Sequence, residues 1–156
     1  DPNAAGKAGA EGGEQAEPEL PPLHQLAYES IDKGDYDGAI AAFEQALTEN
    51  PKDEEARLAL GQVKLMQRTQ GVDLQAARDA AAKNPADVTA QTQVADLDVL
   101  GGHVEDAFAR LVDVVKATSG DERNAAREHL IGLFDVVGAT DPRVKKARTA
   151  LMSALY

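Results

Sequence analysis

The amino-acid sequence predicts an all-α fold, a solenoid of helical hairpins with about eight helices. Three observations predict it. Residues recur on a 34-residue interval: Asn50-Pro51 returns as Asn84-Pro85, Asp53 as Asp87 and Asp121, and Leu26 as Leu60 and Val94. Helical apolar periodicity runs from Leu20 to Tyr156, and no segment reads as a strand. Asp, Pro and Gly fall where such helices must start and stop. A repeat in this size range marks units that bury their apolar faces only by stacking on one another.

The elements follow in order. The first helix, 22–33, carries Leu26-Ala27 and ends at Gly34. The second, 36–49, follows Asp35 as N-cap and carries Ala39, Phe43 and Ala46 before Asn50-Pro51. Asp53 opens the third, 54–69, with Leu60-Gly61; the fourth, 73–83, carries Ala80 and stops before Asn84-Pro85. The fifth, 87–100, starts at Asp87, contains Val94-Ala95 and breaks at Gly101-Gly102. The sixth, 103–118, starts at a solvated His103 and repeats the small-residue position at Ala107, with Leu111 where the first repeat has Phe43. Asp121 is expected to cap the seventh, 122–137, which Gly138 stops. Asp141 and Pro142 start the eighth, 142–155, whose apolar stripe is Val144, Ala147, Leu151 and Leu155. A capping carboxylate accepts the free N–H groups of a first turn and suits its positive end.

A 34-residue period carrying Leu-Gly/Ala, then Ala-x3-Phe, then Pro resembles the tetratricopeptide repeat. The first unit carries it best, through Leu26-Ala27, Gly34, Tyr36, Ala39, Phe43, Ala46 and Pro51. Small residues there let helices approach closely, and Phe43 fills the space between them. The expected units are 20–53, 54–87 and 88–121, with an atypical capping pair at 122–156. Residues 1–19 contain no Val, Ile, Leu, Met, Phe or Tyr, so they read as a flexible acidic linker ahead of a single domain over 20–156. The chain opens on Asp1 rather than Met and is expected to be a piece of a longer one.

Composition excludes several kinds of function. With no Cys, the chain has no disulfide framework, thiolate zinc site or dithiol chemistry of its own. A formal charge of −11 argues against a phosphate-binding surface. No apolar run approaches the roughly 20 residues that span a bilayer. His24, His103 and His129 are far apart, and none has a second ligand at helical spacing. Counted from Asp96, the calcium-loop pattern fails at Leu100 and Ala107. Asp96 and Asp98, two apart on one helix, point apart and form no carboxylate pair. No catalytic, cofactor-binding or metal-binding constellation emerges, so the chain reads as a non-enzyme.

In a tetratricopeptide array the first helix of each pair lines a concave face that commonly binds proteins or peptides. The register places His24, Tyr28 and Ile31, then Leu58, Gln62 and Leu65, then Thr92, Asp96 and Val99 on that face. Its apolar centre suits an apolar segment of another protein, although some of these side chains can equally close onto neighbouring helices. Leu130 and Leu133 of the fourth pair are expected in the core. The inward positions lack the Lys, Arg and Asn needed to clamp the C-terminal carboxylate of an Hsp70 or Hsp90.

The segments HQLAYESIDKGDYDGAIAAFEQALTENPKDEEARLALGQVKLM (24–66) and GLFDVVGATDPRVKKARTALMSALY (132–156) add family character. Over roughly 22–156 the sequence resembles the C-terminal region of bacterial YbbN/CnoX-type thioredoxin-like co-chaperones, most of all actinobacterial-looking members. The resemblance implies a cytoplasmic module that holds unfolded or oxidised clients and passes them to chaperonin or Hsp70 systems. Any thiol chemistry would belong to an N-terminal thioredoxin-like domain that these residues do not include. The alternative is a scaffold for self-association, or for orienting that domain, without client binding.

Overall fold

The computed structural model describes residues 20–156; the expected linker, 1–19, lies outside them. The described residues form eight α-helices and no strand: α1 Pro22–Asp32, α2 Tyr36–Glu49, α3 Glu54–Thr69, α4 Leu74–Lys83, α5 Val88–Leu100, α6 Val104–Ala117, α7 Gly120–Val137 and α8 Pro142–Leu155. Most of the differences from the expected bounds are residues that cap a helix from outside. Asp35, Asp53, Asp73 and Asp87 each accept the backbone N–H three residues on, from Gly38, Ala56, Ala76 and Ala90, at 2.9–3.1 Å. Asp121 departs from expectation. The chain turns at Gly120 (φ +61°), so Asp121 already lies inside the first turn of α7 and caps nothing. The α6–α7 corner is held instead by Arg123, whose Nε donates to the carbonyls of Val115 and Thr118.

The first hairpin packs as the small residues demand. Ala27, Ala39 and Phe43 are fully buried and Ala46 nearly so, in one cluster with Ala56, Ala59 and Val63 of α3. A larger cluster joins α5 to α8 around Phe108, Leu111, Leu130, Leu133 and Phe134, and includes Leu65 of α3. The rings of Phe108 and Phe134 meet edge to face at 5.1 Å, and Arg148 of α8 covers Phe134.

Two contacts depart from a regular stack. Helix α4 packs substantially on α5 alone, through Ala77 and Ala81 against Ala90 and Val94. Ala80, the repeat partner of Ala46, is exposed, because α4 has only this one neighbour to face. Helix α7, 18 residues long, packs not only on α5 and α6 but also on α3. The approach is close at Gly61, where a Cβ would stand 3.3 Å from the Val136 Cα; any side chain there pushes against α7.

Candidate interaction surface

The first of two regions on the concave side lies between α1 and α3. Tyr28 and His24 both stand edge-on to Phe43, with ring centroids at 5.5 and 5.9 Å. His24 is 3% exposed, because the alanines around it let α1 settle onto α2. Its Nε2 lies 2.6 Å from Asp53 Oδ2, while Asp53 Oδ1 accepts the Ala56 N–H at 3.0 Å. One carboxylate therefore caps α3 and ties it to α1. The Ala56 N–H and, after it, the His24 hydrogen bond outweigh partial desolvation and hold the Asp53 carboxyl below its usual range. The ionised Asp53 carboxylate accepts the Nε2–H of His24. Nδ1 is buried without a hydrogen-bond partner, 3.8 Å from Glu55 Oε1. Burial first, and then the Glu55 carboxylate, push the Tyr28 phenol up. Ile31 is half-buried beside them, Leu58 is 36% exposed and Gln62 is exposed.

The second region is closed. Leu65 and Asp96 are buried, and Val99 packs against the main core. Asp96 accepts two bonds from the Arg68 guanidinium, at 2.8 and 3.0 Å, and meets His129 Nε2 of α7 at 2.7 Å. Burial would raise the Asp96 carboxyl, yet the bonds from His129 and Arg68 together hold it below its usual range. Leu65, Asp96 and Val99 therefore do not line an open groove: α7 lies across α3 and α5, and its apolar face needs that cover. Thr92 is half-buried and bonds the Thr89 carbonyl. Leu130 and Leu133 are fully buried in the core.

Sequence reasoning missed the Arg68–Asp96–His129 junction, although a signal was present. A carboxylate at an inward position of an apolar surface requires hydrogen-bond donors, and α3 and α7 supply them through Arg68 and His129. Asp98 faces the other side of α5, as two-residue spacing on a helix requires, and meets Arg78 at 2.6 Å. Two hollows, of about 590 and 610 Å³, flank α6 and include none of the nine residues assigned to the concave face. The first mixes Arg78 and Arg110 with Asp98, Asp106 and Asp113, so no single charge dominates it. Among the described residues no group of three or more His, Asp or Glu side chains is placed to hold a metal ion. No described helix is long and apolar enough to cross a membrane.

Comparison with known proteins agrees with this architecture. Residues 67–156 and 30–68 each match a family model described as tetratricopeptide repeat. Uncharacterized proteins of Mycobacterium tuberculosis and Mycobacterium bovis are 32% identical over 154 residues, covering 97% of this chain and 50% of each relative. The chain thus spans about half the length of these curated relatives.

Proposed function

We infer that the chain, which belongs to the tetratricopeptide repeat family, is a protein-interaction module rather than an enzyme, and that its first two repeats hold an apolar segment of another protein. The observation that carries this reading is the uncovered stretch between α1 and α3. Helix α7 fills the concave side over α3 and α5, while Tyr28, Ile31, Leu58 and Gln62 keep solvent-facing area beside a rigid aromatic cluster. Rigid, partly apolar and partly polar surfaces of this kind suit protein partners. Of the residues assigned to the third repeat, Asp96 and Val99 serve this surface indirectly, by holding α7 at its edge, while Thr92 bonds within its own helix.

The finer reading is that the module belongs to a thioredoxin-like co-chaperone of the YbbN/CnoX type. It would act in the cytoplasm on unfolded or oxidised clients and hand them to chaperonin or Hsp70 systems. The segments 24–66 and 132–156 support this, and the unmatched half of the longer relatives is where a thioredoxin-like domain would lie. In this reading 20–156 works as one domain of three repeats and a capping pair, with 1–19 as its linker. Light scattering of a denatured client tests it: the chain suppresses aggregation, and Tyr28→Asp or Leu58→Asp weakens both suppression and client pull-down. Unchanged scattering, with both variants pulling down as wild type, refutes it.

A second reading, self-association, draws on the 52% exposure of Leu26 on α1 and the 47% exposure of Leu20 just ahead of that helix. Multi-angle light scattering separates the two, because a stable dimer dispersed by Leu26→Asp favours the second.

A further inference from the structure

We propose that the segment held by the first two repeats carries a cationic side chain beside its apolar one, and that Glu55 with Tyr28 receives that cation. The inference rests on the groove reading above and names the chemistry of the partner. Glu55 and Leu58 stand three residues apart on α3 and so share one face. The Glu55 side chain is 59% exposed, and among the described residues no Lys or Arg lies within salt-bridge distance of it. Its neighbours differ: Glu54 pairs with Arg57, and Glu44 with Lys64. Glu55 is thus a carboxylate without a Lys or Arg partner among the described residues, set beside the Tyr28 hydroxyl and an exposed leucine.

A separate observation points the same way. His24 is nearly completely buried, its Nε2 is committed to Asp53, and its Nδ1 has no partner and faces Glu55 Oε1. Nδ1 and Glu55 Oε1 stand 3.8 Å apart, and no hydrogen bond joins them. Glu55 is the one of the two that solvent reaches, so a donor from outside arrives there. A lysine ammonium or arginine guanidinium supplies both the donor and the charge, and a guanidinium also stacks on the Tyr28 ring. The long apolar stem of either side chain lies along Ile31 or Leu58 while its head stays at the carboxylate. The chain's charge of −11 favours the approach of such a segment and disfavours an acidic one.

Three blocked decapeptides test the proposal: one alternating leucine with lysine, one with glutamine in place of lysine, and one with glutamate. Binding is read by fluorescence anisotropy on the full chain. The lysine peptide binds on the order of 3- to 5-fold tighter than the glutamine peptide, as expected of a single partly exposed charge pair. The glutamate peptide binds weakest. Glu55→Gln abolishes the preference and Glu55→Lys reverses it, each with wild-type helicity and urea midpoint. If Glu55→Lys folds poorly, Glu55→Gln alone decides. Equal binding of all three peptides, abolished by Leu58→Asp, overturns the cation site and leaves the groove standing. A lysine preference that persists in Glu55→Gln overturns it as well. Failure of every peptide to bind removes the groove, and this inference with it.

Discussion

Replacing Asp96 with alanine tests how firmly α7 is held over α3 and α5. Asp96 is 5% exposed and accepts three charge-assisted hydrogen bonds, at 2.7–3.0 Å, from Arg68 and His129. Breaking a fully buried ion pair costs about 3–5 kcal/mol, because the surviving charge is stranded. Here the survivors are not stranded: the Arg68 and His129 side chains are 37% and 24% exposed and rehydrate. The loss therefore falls to about 2–3 kcal/mol, which lowers the urea midpoint by about 1 M at an ordinary slope. A double-mutant cycle with Arg68→Ala isolates the junction and yields a coupling of about 1 kcal/mol. The pH dependence follows from the depressed carboxyl. Its stabilisation is fully present above the unfolded-state carboxylate range, near pH 4, and disappears as pH falls through the lower folded value. Wild type and Asp96→Ala should thus differ most near neutral pH and converge in acid. A loss under about 0.5 kcal/mol at pH 7, or strict additivity with Arg68→Ala, would show that the geometry carries no such energy.

Phe43→Ala empties a fully buried site shared by α1 and α2, and lowers stability by about 3–5 kcal/mol in urea titration; a change under 1 kcal/mol contradicts the packing described. Gly61→Val drives a branched side chain into the 3.3 Å approach of Val136 and costs about 1–3 kcal/mol; an unchanged thermal midpoint means α7 does not lie so close. The Asp141 carboxyl, held down first by the Arg143 guanidinium at 2.8 and 3.1 Å and then by the Arg143 N–H at 2.8 Å, titrates at about 2. Carboxyl-carbon NMR measures that midpoint directly, and a value near 4 rules the contact out in solution.

Local chemistry made most of the fold legible in advance. Asp35, Asp53, Asp87 and Asp141 cap the helices they precede, because a carboxylate next to free N–H groups has few better options. Ala27, Ala39 and Phe43 sit where the 34-residue interval places them. Asp121 fails because its repeat has Thr118-Ser119 where the others have Asn-Pro, and the helix begins two residues early, at Gly120. Ala80 fails because the environment of a repeat position depends on which helices surround it, and α4 keeps only one neighbour. The concave surface was half legible for the same reason. Tyr28 and Leu58 depend on the register of one helix pair, whereas the burial of Leu65 and Asp96 depends on how far α7 reaches. Nothing in a 34-residue spacing encodes that reach.

The contact of α7 with α3 also bears on how the molecule comes apart. Where each repeat touches only its neighbours, stability adds along the chain and the ends can fray independently. Here the last repeat pair is fastened to the second, so peeling it away uncovers α3 and weakens the seat of the first hairpin. The array is closed into a ring of mutual dependence, and unfolding from the C-terminal end propagates to the front. Helices α1 and α4 stand outside that ring, each packed substantially on one neighbour, and α4 is held on its single packed side by two buried alanines. The amides of α4, with the smaller buried contact, are expected to exchange with solvent without the rest of the protein opening.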